Sequence, residues 1–117
     1  MDIVEDKRGD VKIVSLRGRI DMETSPIVEK RLMSILEQGE RQLVIDFSDL
    51  IYISSLGLRV LVLAAKYMQK SKGELALAGL SSHIYEIFRI AAFTSIFPIY
   101  STCDEAVAQM QADDRIY

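Results

Sequence analysis

Val11-Lys12-Ile13-Val14-Ser15-Leu16-Arg17 alternates apolar and polar residues closely enough to predict a half-buried strand, with Val11, Ile13 and Leu16 inward. Gly9-Asp10 before it reads as a hairpin turn, so Ile3 to Lys7 is expected to pair antiparallel with it. A helical spacing follows in Ile27, Val28, Leu32, Ile35 and Leu36. Thr24 or Ser25 caps that helix, Pro26 fits its first turn and Gly39 ends it. Gln42 to Phe47 is a short apolar run of the kind buried on both faces of a sheet.

A second helix is predicted from about Ser55 to Lys70, stopped at Lys72-Gly73, and Leu75 to Ala78 is the next strand, ending at Gly79. Ser81 or Ser82 caps a third helix that carries Ile84, Ile87, Phe88 and Ala91 on one face. Ile96 to Tyr100 is a last strand, Cys103 to Gln111 a last helix, and Asp113 to Tyr117 a frayed tail. An opening hairpin followed by helix–strand alternation implies an α/β fold. Its sheet is mixed and mostly parallel, with four helices. The chain reads as a single domain over residues 1–117. In such sheets function gathers beyond the carboxyl ends of the strands, and the Ser54–Gly57 turn follows one such end.

Composition narrows the classes of function. A formal net charge of −3 and a pI near 5.1 argue against nucleic acid as a partner. The single cysteine, Cys103, has no internal disulfide partner, so a reducing, cytoplasmic compartment is expected. The acidic start Met1-Asp2-Ile3-Val4-Glu5-Asp6 has no apolar stretch of a secretory leader, and the run Val60 to Ala65 is too short to span a bilayer. No cofactor, metal or membrane association is expected. The glycines form neither GxGxxG nor a P-loop.

The second helix is apolar on almost every side. Leu58, Leu61, Val62, Ala65 and Met68 form one stripe, expected to face the core. Leu56, Val60, Leu63, Ala64 and Tyr67 extend apolar cover to the other side, and Arg59, Lys66, Gln69 and Lys70 make the polar strip. A helix apolar all round is either buried or leaves an apolar face for a partner, and docking is the preferred expectation here. Ser54 and Ser55 each suit the N-cap, and Ser54 is the one expected to cap. The unpaired N–H groups and the macrodipole at that end also tolerate a phosphate. Gly57 has two readings, close approach of a partner backbone or crowding against the neighbouring strand.

Tyr52-Ile53-Ser54-Ser55-Leu56-Gly57-Leu58-Arg59-Val60-Leu61 resembles the signature of STAS domains, in particular the single-domain bacterial anti-sigma factor antagonists. That pattern runs aromatic, aliphatic, Asp, Ser, Ser/Ala, Gly, Leu, Gly/Arg. Gly18-Arg19-Ile20-Asp21 is similar to the earlier Gly-x-(Leu/Ile)-Asp element, and the order of elements fits across nearly the whole chain. Ser54 stands where the family has Asp, and Leu56 replaces a small residue.

The resemblance implies a STAS-like fold and a non-enzymatic, phospho-switchable module with Ser55 as the phosphorylation site. It implies partner binding through Asp21, Ser54, Ser55, Leu56, Gly57, Arg59 and Val60. The implied partners are an anti-sigma factor that is an ATPase-like serine kinase and a resetting PP2C-type serine phosphatase, with the domain itself a monomer or weak dimer. Another partner-switching circuit (secretion, biofilm or stressosome control) is the alternative. A small-ligand or nucleotide-binding domain ranks behind both.

Other polar residues carry blander expectations. Asp21, Asp46 and Asp49 lack the acidic pair and late lysine of a phospho-aspartate receiver site, and Asp46 and Asp49 are expected to shape a turn. His83 shares no triad pattern with any serine and acid, so no catalytic residue is assigned.

Overall fold

The structure is a computed structural model that describes residues 1–115. Strands β1 (Asp2–Arg8) and β2 (Val11–Ile20) form the opening antiparallel hairpin about a turn in which Gly9 takes φ +59. Helix α1 (Ser25–Glu37) leads to β3 (Gln42–Asp46) and a short strand β4 (Leu50–Ile53). Helix α2 (Ser55–Lys70), β5 (Glu74–Ala78) and α3 (Ser82–Ile90) follow. A 3-10 turn at Phe93–Ser95, β6 (Ile99–Tyr100) and α4 (Cys103–Arg115) complete the fold. The sheet runs β1-β2-β3-β5-β6, parallel everywhere except the first pair, with β4 added alongside the end of β2.

Both faces of this sheet are covered. Leu16, Leu43, Ile45 and Leu77 pack with Val28 and Leu32 of α1, Leu61 of α2, and Ile84 and Phe88 of α3. On the other face Val11, Ile13, Val44, Ala76 and Ala78 pack with Ala106, Val107 and Met110 of α4. Strand β2 is therefore not half-buried as its pattern suggested. Val14 is fully buried against the three-helix layer, while Val11 and Ile13 lie under α4.

Other local expectations shift for equally local reasons. Ile27 is 55% exposed on α1, and the buried stripe is Ser25, Val28, Leu32, Ile35 and Leu36. Ala91 follows α3 as its exposed C-cap rather than joining Ile84 and Phe88 in the core. Ile96, 51% exposed, precedes a strand shortened to Ile99–Tyr100, because Phe97 turns inward to the Phe88–Phe93 cluster. Helix α4 runs on to Arg115, and Ile116 and Tyr117 of the expected tail lie outside the described residues.

Candidate functional site

The end of β2 and the whole of β4 form the rim from which α2 starts. Val14 to Ser15 of β2 pair with Ile45 to Asp46, whereas Gly18 pairs with Leu50 and Arg19 with Tyr52. Ile51 is therefore an extra residue on β4. The bulge turns it outward to 68% exposure, and Gly18 takes up the irregularity at φ +107, a conformation open to glycine. Past the bulge the ladder realigns. Ile20 pairs with Ile53, and the Ser54 N–H donates to the Ile20 carbonyl at 2.8 Å. The residues that follow this pair, Asp21 and Ser54, thus leave two adjacent parallel strands at the same end of the sheet.

Ser54 is the N-cap of α2. Its backbone is extended, its Oγ accepts the Gly57 N–H at 3.2 Å, and its carbonyl accepts the Leu58 N–H at 3.0 Å. Ser55 is the first residue of the helix and is exposed. Its hydroxyl makes no hydrogen bond among the described residues. The two serines therefore differ in what they are free to do. Ser54 holds the helix start, and Ser55 leaves its hydroxyl to solvent.

Asp21 is tied into its own loop. Its Oδ1 accepts the N–H groups of Glu23 and Thr24, both at 3.0 Å, and lies 3.2 Å from the Thr24 hydroxyl. Thr24 Oγ1 in turn accepts the Asp21 N–H at 2.9 Å and sits 2.7 Å from the Arg19 carbonyl. The Thr24 N–H is the main influence holding the Asp21 carboxyl below its ordinary range; its hydroxyl, the Glu23 N–H and nearby Arg19 add to it, against a smaller opposing effect of burial. Thr24 is the N-cap of α1 by backbone position, yet its side chain serves this loop instead of the helix. Met22, next to Asp21, is 76% exposed.

The outward face of α2 differs from the one the wheel suggested. The buried positions are Gly57, Val60, Leu61, Ala64 and Met68. Val60, at 3% exposure, packs into the core and is no surface for a partner. Gly57 faces inward as well. A Cβ there would stand 2.7 Å from Cγ2 of Ile20 and 2.8 Å from Cγ1 of Ile53, so crowding accounts for this glycine. Leu58, Val62 and Ala65 are only partly buried, and Leu56 is 41% exposed beside Ser55. Further along, Leu63, Lys66, Tyr67 and Lys70 join Glu29 and Met33 of α1 around a shallow groove of about 310 Å³.

The remaining candidates take structural places. Asp46 Oδ1 accepts from the Ser48 hydroxyl at 2.6 Å and from its N–H at 3.1 Å, and Asp49 lies 3.4 Å from Nε of Arg17. His83 is exposed in the first turn of α3. Cys103 is partly buried, and burial is the main reason its thiol is pushed up. Among the described residues no group of three acidic, histidine or cysteine side chains is placed to hold a metal ion. Nor is any of their helices long and apolar enough to cross a membrane.

Strand β4 is not among the elements expected from the sequence, and neither is the pair it creates. The Arg19 guanidinium lies 4.6 Å from the centre of the Tyr52 ring, a cation–π contact across the two strands. The run Leu50-Ile51-Tyr52-Ile53, rich in strand-forming residues, is the signal that could have found it.

The profile of the STAS domain family matches residues 2–106. The chain belongs to the STAS-domain family. This STAS domain is 38% identical over 108 residues to BtrV of Bordetella bronchiseptica, named as a candidate anti-sigma factor antagonist, covering 92% of this chain and 93% of BtrV. It is 31% identical over 104 residues to the anti-sigma-B factor antagonist of Bacillus subtilis, covering 89% and 94% of the two chains. Its fold superposes with a TM-score of 0.89 on a Thermotoga maritima protein described as a candidate anti-sigma factor antagonist. Identity there is 23%, with 93% of this chain and 94% of the other covered. The domain is not an enzyme.

Proposed function

We propose that this STAS domain is an anti-sigma factor antagonist that works by partner switching. Unphosphorylated, it binds an anti-sigma factor that is also an ATPase-like serine kinase, and so releases the sigma factor. The kinase phosphorylates Ser55, which breaks the complex, and a PP2C-type serine phosphatase restores it. The domain acts in the cytoplasm as a monomer or weak dimer. The contact set is Asp21, Ser54, Ser55, Leu56 and Arg59, with Val60 and Gly57 excluded because both face the core.

The observation that carries this reading is the division of labour between the serines. Ser54 caps α2 by itself, so a phosphate on exposed Ser55 removes no native hydrogen bond. Phosphate adds about −1.5 to −2 charge at neutral pH, and a helix N-terminus favours negative charge. The fold therefore tolerates the modification while the docking surface changes sign. A penalty of ~3 kcal/mol in the complex weakens binding roughly a hundredfold.

Ser54 in the position of the family's Asp favours a second reading with the same chemistry and a different partner. In that reading the module serves secretion, biofilm or stressosome control. Calorimetric titration of the parent, Ser55→Ala and Ser55→Asp domains with the ATPase-like serine kinase tests the switch. The parent and Ser55→Ala should bind and Ser55→Asp should not. Equal affinities for all three contradict it.

A further inference from the structure

We propose that Arg59 receives the phosphate carried by Ser55, so that the switch withdraws a cation from the docking surface as it adds a dianion. This rests on Ser55 being the modified residue. Ser55 and Arg59 are both exposed on α2, four residues apart. Residues at that spacing have Cβ atoms roughly 5–6 Å apart on one face of a helix. Helical side chains lean towards the N-terminus, which carries the long Arg59 side chain back over the turn that begins at Ser55. The order also suits the pair, since an anion N-terminal to a cation at this spacing is the favourable arrangement.

Arg59 is available for the role. Arg17 pairs with Asp49, Arg31 with Glu5 and Arg89 with Glu86, and Arg19 stacks on Tyr52. Arg59 has no ion pair among the described residues. A guanidinium matches phosphate oxygens two at a time, which a lysine cannot do. Before modification, Arg59 stands beside half-exposed Leu56 as a free cation for an acidic group of the partner. After modification it is engaged within the domain. Asp21, at the neighbouring strand end, is the acid on the same rim. Its carboxylate is already held by the Glu23 and Thr24 N–H groups and repels the phosphate.

The test needs no kinase. Phosphoserine is installed at position 55 by genetic encoding in the parent, Arg59→Gln and Lys66→Gln domains, with melting curves to verify the fold. Phosphorus NMR then follows the second ionisation of the phosphate. The parent should ionise roughly 0.3–0.6 pH unit lower than Arg59→Gln, an effect that shrinks in high salt. Lys66→Gln, which removes a cation farther along the helix, should move it by only ~0.1 unit. The Arg59 Nε–H resonance should also shift as the phosphate becomes a dianion. An Arg59→Gln phosphoprotein that titrates within ~0.1 unit of the parent, or a stationary Arg59 resonance, overturns the pairing. A kinase that leaves Ser55 unmodified refutes the functional reading instead, so the two failures are distinct.

Discussion

Replacing Gly57 by alanine tests how α2 is seated. Alanine is the better helix former by ~1 kcal/mol, so on propensity alone the substitution should stabilise the domain. The structure predicts the opposite. The new methyl would lie 2.7 Å from Ile20 Cγ2, 2.8 Å from Ile53 Cγ1 and 3.3 Å from Ile20 Cβ. Ile20 and Ile53 are buried to 0% and 3% exposure and are paired across the β2–β4 ladder. Both are β-branched, with little rotamer freedom to yield. The helix must shift or the ladder must open. Overpacking of this kind costs about 2–3 kcal/mol, and subtracting the propensity gain leaves ~1–2 kcal/mol of net destabilisation. For a chain of 117 residues this lowers Tm by about 4–8 °C. Urea and thermal melts of the two proteins measure it. A Gly57→Ala domain as stable as the parent would refute the close seating and return this glycine to the partner-facing set.

Leu61→Ala, emptying a fully buried site on α2, should cost ~2–5 kcal/mol in denaturant melts. Leu56→Ala, at an exposed site, should melt within ~0.5 kcal/mol of the parent yet lose ~1–3 kcal/mol of affinity for the proposed kinase partner in a calorimetric titration. Ser55→Asp should leave Tm almost unchanged, because Ser54 retains the cap and a helix N-terminus accepts an acid. Asp21 has a lowered folded pKa, chiefly through the Thr24 N–H, so its contribution is present above the ordinary carboxylate range and lost as pH falls through the folded value. Asp21→Asn should therefore flatten the fall of the urea midpoint between about pH 5 and pH 2, read from melts across that range.

The elements with strong periodicity are legible in the chain itself. The hairpin at Gly9-Asp10, β3, β5 and the full span of α2 fall where apolar pattern and turn residues place them. Burial is less legible, because it depends on what lies across the sheet. Nothing local to β2 announces that helices cover both of its faces, so Val11 and Ile13 read as the one core side, whereas they lie under α4 and Val14 is fully buried against the three-helix layer. On α2 an all-round apolar pattern leaves the rotation of the helix undefined. Gly57, Val60 and Ala64 are inward positions, and at Gly57 the close approach of Ile20 and Ile53 shows why. Strand β4 escapes notice since it continues a rim already begun by β3, separated by an acidic turn and distorted by the Ile51 bulge. The serine pair is legible as a site, and the expected cap, Ser54, is the one whose Oγ accepts the Gly57 N–H.

The central claim is that Ser55 is the covalent switch. The most direct measurement incubates the domain with the proposed ATPase-like serine kinase and ATP, maps the phosphate by peptide mass spectrometry, and follows the complex by size-exclusion chromatography in the same samples. A single phosphate on Ser55 is expected, with loss of the complex in step with its appearance and no modification of the Ser55→Ala domain. A phosphate on Ser54, Ser48 or Thr24, or a complex that persists when Ser55 is fully modified, would contradict it.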